Sequence, residues 1–367
     1  MRILVTGSKG FIGRNLVVRL RELEHQCLEF GRGDSLDGLD RLVAGADAVI
    51  HLAGENRPQD PVQFECVNVA LTERVCAAIA RSGRKLPLIF ASTTQAVKDN
   101  PYGRSKRAAE AAIERFVSET GNKASIYRLP GVFGKWSRPN YNSVVATFCS
   151  NIANDLSISI SDPSMDLPLV YVDDVISCFF DELSRMQEGL NWPSVEPEYV
   201  VTLGELAELV MAFRNSRNNL VTERVGEGFV RALYSTYVSF LPSGQFIYDL
   251  SFYADQRGVF VEMLKTKDSG QFSYFTAHPG VTRGGHYHHS KTEKFLVLKG
   301  EAVFRFRNIL TNERHRIRTS GARPQVVETI PGWAHDITNV GAEDMIVMLW
   351  VNEIFDRNKP DTISSEV

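Results

Sequence analysis

At 367 residues the chain is long for one hydrophobic core, so two domains are expected; 43% hydrophobic and 23% charged residues exclude a disordered or fibrous protein. A formal charge of −3 gives no electrostatic reason to expect nucleic acid or an anionic membrane as partner. No apolar run reaches the ~18–20 residues that span a bilayer, and the first residues enter a strand rather than a signal peptide, so a cytoplasmic location is expected.

The first 130 or so residues alternate short apolar runs with helical periodicity. "RILV" (Arg2–Val5), "CLEF" (Cys27–Phe30), "AVIHLA" (Ala48–Ala53), "LIFA" (Leu88–Ala91) and "SIYR" (Ser125–Arg128) read as strands. Between them "FIGRNLVVRLREL", "LTERVCAAIARSG" and "SKRAAEAAIERFVSET" place apolar residues at helix spacing. This alternation predicts a doubly wound parallel sheet of the Rossmann type. From about Asn140 to Ser239 the pattern is mixed and mostly helical, with "TLGELAELVMAF" the clearest helix, and this part is expected to cap the sheet and bind substrate. After "LPSGQF" (Leu241–Phe246), runs such as "KFLVLKGEAVFRFRN" and "DMIVMLWVNE" alternate between turn residues, predicting an all-β sandwich or barrel. The expected domains are 1–243 and 244–367, with the final "NKPDTISSEV" loosely held. The five cysteines contain no CxxC pair and read as scattered, reduced core residues.

Chemistry enters with "VTGSKGFIG". Gly7, Gly10 and Gly13 follow a strand and open a helix, where glycine permits a tight turn and close backbone approach to a pyrophosphate. The second strand runs on into Arg32, and Lys9 lies inside the glycine loop. Two cations near an adenosine ribose favour a 2′-phosphate, hence NADPH, with Glu29 as the counter-reading for NADH. In "NPYGRSK", Tyr102 and Lys106 are four apart on one helix face. The lysine and a nicotinamide cation are expected to pull the phenol from about 10 towards neutrality, so that it exchanges a proton with a substrate oxygen. Thr93, in "FASTTQ", is the best-placed partner for that oxygen.

These motifs, with "HLAG", "YRLPGVFG" and "YVDDV", resemble the extended short-chain dehydrogenase/reductase family over about Met1–Phe240. The resemblance implies catalytic roles for Thr93, Tyr102 and Lys106. It implies cofactor contacts at Gly7, Lys9, Gly10, Phe11, Ile12, Gly13, Arg32, Leu52, Ala53, Tyr102 and Lys106, and a nucleotide-sugar substrate. Gly131 stands where relatives often carry asparagine and is left out of the site. Members that eliminate water from a hexose carry an acid pair after the threonine; Thr94 and Gln95 occupy those places, leaving a reductase or a 4-epimerase. Lys135, Arg138 and Asn142, in "GKWSRPNYNSVVATF", are candidates for sugar or phosphate contact.

Six of the eight histidines lie beyond residue 270. "PGVTRGGHYHHSKTEKFLVLKG" sets His286 and His288 on one face of a strand, with Glu293 reaching back across a hairpin. "PGWAHDITN" adds His335. Both segments resemble the two motifs of the cupin superfamily, although Pro331 adjoins Gly332 where the motif separates them, a shift that bears on the local turn. Three imidazoles and a carboxylate suit zinc or another divalent metal. A cation beside a sugar ketone stabilises the enolate formed when the neighbouring carbon loses its proton; Tyr287, His289, Lys291 and Lys294 are candidate bases. His289 reads as facing away from the other two histidines, and His278 and His315 as surface residues.

Taken together, the two halves resemble the family of bifunctional capsular-polysaccharide and O-antigen enzymes of UDP-N-acetyl-L-fucosamine biosynthesis. The resemblance implies C3 epimerisation of a UDP-linked 4-keto deoxy-amino sugar in a zinc-bearing jelly-roll cupin. NADPH reduction at C4 follows in the reductase domain, and the enzyme is a homodimer.

Overall fold

The computed structural model describes residues 1–31, 33–60, 62–255, 258–261, 264–266, 270–353, 358 and 360–367. Their contacts divide into two compact units, Met1–Ser143 with Leu167–Val200, and Val144–Asp166 with Val201–Val367.

The first unit alternates β1 (Arg2–Thr6), α1 (Phe11–Glu22), β2 (Gln26–Phe30), α2 (Leu36–Gly45), β3 (Ala48–His51), α3 (Leu71–Arg81), β4 (Leu88–Thr93), α4 (Pro101–Thr120) and β5 (Ala124–Leu129). A short β6 (Gly131–Phe133) follows; α5 (Val144–Ala153) belongs to the second unit, and then come β7 (Asp166–Tyr171), α6 (Val172–Arg185) and β8 (Leu190–Asn191). Six parallel strands in the order β2-β1-β3-β4-β5-β8 form one sheet, with the expected doubly wound connection. β3 is buried throughout and β1, β4 and β5 nearly so, because helices cover both sheet faces and exclude water from continuous apolar runs. Leu4, Val49, Phe90, Ile113 and Ile126 sit at the centre of this core. The chain leaves β1 for β2 on one side and returns to β3 on the other, so the strand order reverses between β1 and β3, where such folds leave a crevice at the strand ends.

The second unit begins with α5 and takes up α7 (Leu203–Asn219), β10 (Val221–Thr222) and α8 (Gly228–Val238), while β9 (Tyr199–Thr202) runs from the first unit into the second. Thr202 and Glu205 close a reciprocal capping box that fixes where α7 starts. The strands that follow are β11 (Ile247–Asp249), β12 (Phe252–Asp255), β13 (Gly258–Val261), β14 (Lys265–Thr266), β15 (Gln271–Ala277), β16 (Thr282–Tyr287), β17 (Glu293–Lys299), β18 (Glu301–Asn308), β19 (Arg314–Ser320), β20 (Gln325–Glu328), β21 (Trp333–Asn339), β22 (Met345–Val351) and β23 (Ile363–Ser364). Two five-stranded antiparallel sheets, β11-β20-β17-β22-β15 and β19-β18-β21-β16-β23, make the all-β fold expected of a cupin. Phe304 and Phe306 alternate inward from β18 and join Phe246, Phe295 and Trp333 in an aromatic core.

Helices α5, α7 and α8 share a compact unit with the β-sheets. The change of sequence character near 243 is therefore not a change of packing: Gln245 donates to the Ala153 carbonyl at 3.0 Å, and Arg217 of α7 pairs with Glu328 of β20. Nor is the final segment loose. Ile363 and Ser364 pair with Tyr287 and His286, and Arg307 and Arg314 bind the carbonyls of Glu366 and Val367. Of the cysteines, Cys76 and Cys149 are buried, Cys27 and Cys178 partly so, and Cys66 is exposed. Among the described residues no helix is long and apolar enough to cross a membrane.

Candidate active site and metal centre

At the end of β1 the backbone turns through Gly7, whose φ of +71° and close approach to Ala53 exclude a side chain: a Cβ there would meet the Ala53 nitrogen at 2.7 Å. Gly13 is held for a similar reason, since its Cβ would lie 2.2 Å from the Gly7 oxygen. Gly10 caps α1 without a side-chain acceptor, and no acidic residue occupies the first turn, so the helix start presents N–H groups that suit an anion. Lys9 and Gly10 are exposed, and Phe11, Ile12, Leu52 and Ala53 half-exposed around this turn. Glu29 faces Arg21 at 3.5 Å. Arg32 lies outside the described residues.

Tyr102 and Lys106 stand one turn apart at the start of α4, which Asn100 caps by accepting from the Gly103 N–H at 2.7 Å, with Pro101 in the first position. Thr93 ends β4 and hydrogen-bonds the Tyr102 hydroxyl. The Lys106 ammonium is buried, donates to the Ala91 carbonyl at 2.7 Å and lies 4.3 Å from the centre of the Phe90 ring. Burial lowers its pKa to about 8, against the upward pull of Glu110. Burial also lifts Tyr102 above its ordinary value, which the Thr93 bond only partly offsets. The expected fall of Tyr102 towards neutrality is thus not a property of the protein alone.

Sequence reasoning missed the frame behind this pair. Ser92 and Arg128 both bind the buried Glu110, one turn beyond Lys106, with Arg128 contacts of 3.0 and 2.7 Å. His51, fully buried, accepts from the Thr6 hydroxyl at Nδ1 (2.6 Å) and donates through Nε2 to Thr72 (2.9 Å). This direction follows because Thr72 gives its own proton to the Asn68 carbonyl at 2.7 Å, and Thr6 already accepts from the Ala53 N–H. Asn68 in turn donates to Ser105, between Tyr102 and Lys106, at 2.9 Å. Of the candidate substrate residues, Arg138 and Asn142 are exposed and Arg138 lies over the Tyr141 ring. Lys135 is only 1% exposed and its ammonium binds both Asp173 oxygens, at 2.8 and 3.1 Å. It holds α6 to its loop rather than facing an open site.

In the second unit, His286, His288, Glu293 and His335 bring three imidazole nitrogens and a carboxylate oxygen within 4.8 Å of one another. A bulge between Gly284 and His286 turns the end of β16, β21 places His335 directly opposite His286, and Glu293 opens β17. Gly332 donates to the His288 carbonyl at 2.9 Å, so the adjacent Pro331 leaves the second motif joined to the first.

The chemistry of the donors fits a divalent cation. The Asp361 carbonyl can only accept, so it holds a proton on Nδ1 of His288. Nε2 of His288 then points its lone pair at a Glu293 oxygen 3.2 Å away, and Nε2 of His335 meets the same oxygen at 3.1 Å. Facing acceptors repel unless a cation or proton lies between them. The buried Nε2 of His288 correspondingly makes no hydrogen bond. Burial and its two imidazole neighbours lower His286 to about 4, keeping it neutral.

The candidate bases separate. Lys294 turns to the far side of β17 and pairs with Glu328, and Tyr287 alternates away from His286 and His288. His289 is half-buried, with its backbone N–H on Asp361. Lys291 stands nearest the cluster, its ammonium 3.6 Å from Glu293 Oε1 and 3.1 Å from the Thr362 hydroxyl. His278 pairs with Asp344 at the surface, and His315 packs half-buried against Phe246.

Residues 3–191 match the NAD dependent epimerase/dehydratase family, and 253–363 the polysaccharide biosynthesis C-terminal domain. A protein of Pseudomonas aeruginosa named UDP-2-acetamido-2,6-beta-L-arabino-hexul-4-ose reductase is 54% identical over 368 residues, covering 100% of this chain and 99% of that one. The crystal structure of the capsular polysaccharide assembling protein CapF from Staphylococcus aureus covers 100% of both chains, with a TM-score of 0.66 and 39% identity. A UDP-glucose 4-epimerase of Thermus thermophilus, solved with NAD, covers 59% of this chain and 84% of its own, with a TM-score of 0.52; at 23% identity it shares the fold.

Proposed function

Because the chain belongs to the NAD dependent epimerase/dehydratase family and carries a polysaccharide biosynthesis C-terminal domain, we propose that it epimerises a UDP-2-acetamido-2,6-dideoxy-4-hexulose at C3 and then reduces it at C4. The product would be UDP-2-acetamido-2,6-dideoxy-L-talose, on the route to UDP-N-acetyl-L-fucosamine for surface polysaccharide. Residues 1–243 would carry the reduction and 244–367 the epimerisation, in a cytoplasmic homodimer. The observation that carries this reading is the joint presence of the Thr93–Tyr102–Lys106 group and the His286–His288–Glu293–His335 cluster in one chain. The full-length similarity to a protein named as a 4-ketohexose reductase supports it.

Gly7, Lys9, Gly10, Phe11, Ile12, Gly13, Leu52 and Ala53 would hold NADPH, with Arg32 at the 2′-phosphate; bound there, NADPH supplies hydride. Tyr102 gives its proton to the C4 oxygen, Thr93 hydrogen-bonds that oxygen, and Lys106 favours the phenolate that remains. Arg138 and Asn142 are the candidate contacts to the sugar nucleotide. At the second site, His286, His288, Glu293 and His335 would hold zinc or another divalent metal, which when bound supplies positive charge to the substrate carbonyl. Lys291, as the neutral amine after releasing a proton to solvent, would take the C3 proton and leave an enolate, and water on the opposite face would return a proton and invert the carbon. Order follows from the chemistry: C3–H is acidic only while C4 is a ketone, and reduction ends that acidity.

The test uses the full chain without NADPH in heavy water. Deuterium should enter C3 of the 4-keto sugar, read by NMR, and NADPH should then give one reduced epimer. A second reading is a reductase whose cupin only assists assembly, favoured by the Pseudomonas relative being named for reduction alone. Reduction without C3 exchange would select it.

A further inference from the structure

The segment Asp361–Ser365 follows the metal-ligand loop almost residue for residue. Asp361 Oδ1 accepts from the His289 N–H at 2.9 Å, and Oδ2 from the N–H groups of Ser290 and Lys291, both at 2.7 Å, and from the Ser290 hydroxyl at 3.0 Å. Its own carbonyl takes the Nδ1 proton of His288. Thr362 accepts from the Lys291 ammonium at 3.1 Å, Ile363 and Ser364 pair with Tyr287 and His286, and the Ser365 N–H donates to the Gly285 carbonyl at 2.9 Å. One short stretch thus fixes ligands His286 and His288 and the candidate base Lys291.

The loop from 288 to 292 has no regular secondary structure to hold it. Its successive N–H groups converge on a single carboxylate, an anion-binding arrangement in which the anion is part of the chain. Charge-assisted bonds of this kind are about twice as strong as neutral ones, and three of the four come from backbone, which side-chain motion cannot release. The carbonyl contact sets the tautomer of His288, leaving its Nε2 lone pair free for a metal.

We propose that Asp361 is a positioning residue of the metal centre: its carboxylate shapes the 289–291 loop, and its carbonyl orients His288, so that the four ligands meet. This rests on the metal-binding reading above. Removing the carboxylate charge should loosen the loop and spread the ligands without touching the parallel sheet.

The experiment compares zinc affinity, by chelator competition, in full-length wild type, Asp361→Asn and Asp344→Asn, with NADPH binding measured alongside. Asp361→Asn should bind zinc ~10–100-fold more weakly with NADPH binding retained, the loss typical of groups that orient a ligand. Asp344→Asn, which removes only the exposed His278 pair, should match wild type. Zinc affinity of Asp361→Asn within about threefold of wild type overturns the proposal, on that same scale. If the asparagine variant does not fold, Asp361→Glu, which keeps the charge but changes its reach, decides in the same way. Wild-type protein that takes up no zinc, manganese or iron overturns the metal reading itself and this proposal with it.

Discussion

Glu293 meets Nε2 of His288 at 3.2 Å, whereas Lys294, the next residue of β17, turns to the opposite side of the strand and pairs with Glu328. Strand alternation makes the two destinations mutually exclusive, so the lysine cannot serve the metal centre while its neighbour does. The far side is a buried charge cluster in its own right. Arg217 also reaches Glu328, and its guanidinium lies over the Tyr248 ring, so one carboxylate serves two buried cations. Burial raises Glu328 and the two cations more than offset this, leaving it ionised. Glu328→Gln should therefore cost ~3–5 kcal/mol in denaturant unfolding, because both cations stay buried without an anion. A loss below about 1 kcal/mol would mean that water reaches them.

Separable loss distinguishes the two centres. Tyr102→Phe removes the proton donor and should slow NADPH oxidation by a factor on the order of 10²–10⁴, leaving C3 exchange intact. His288→Ala should abolish exchange and leave NADPH binding unchanged. Either variant losing both functions while folded would require a single shared site.

The buried His51 makes stability pH-dependent. Burial, with Lys106 nearby, lowers its pKa from 6.5 to about 3. Between these values the unfolded chain binds a proton that the native protein refuses. Its contribution is therefore complete above pH 6.5 and is lost as pH falls towards 3, at about 1.4 kcal/mol per pH unit. Unfolding free energies at pH values of about 7, 6 and 5 should show this slope, and His51→Gln should reduce it. An unchanged slope would show that other groups account for the acid lability.

Local chemistry is legible in the sequence. A glycine loop, a tyrosine and lysine one helical turn apart, and histidines at i and i+2 each owe their geometry to neighbours within a few residues. Long-range partners carry no such mark. Asp361 reaches His288 across 73 positions, and Lys135 finds Asp173 across 38. A charged residue in a loop reads the same whether it meets solvent, a ligand or a buried carboxylate, which is why Lys135 reads as a substrate contact. Glu110 gives no local signal either, since its partners Ser92 and Arg128 come from two different strands. The segment after residue 357 reads as loose because its composition is polar, yet its backbone completes a sheet, and pairing of that kind depends on main-chain groups common to every residue.

Metal removal provides the last prediction. Without a cation the Glu293 oxygen faces the Nε2 lone pair of His288, so the native ligand arrangement is held only by the surrounding structure and by any proton the site captures. A metal that binds the folded but not the unfolded chain stabilises it by about 2.7 kcal/mol when its free concentration is a hundred times the dissociation constant. Chelation should therefore lower the melting temperature of the transition that destroys β-sheet signal, and zinc should restore it. NADPH binding should survive chelation, because the glycine loop belongs to the other compact unit. Equal melting temperatures with and without chelator, in protein shown to be metal-loaded at the start, would mean that the four side chains do not hold the cation in the folded state.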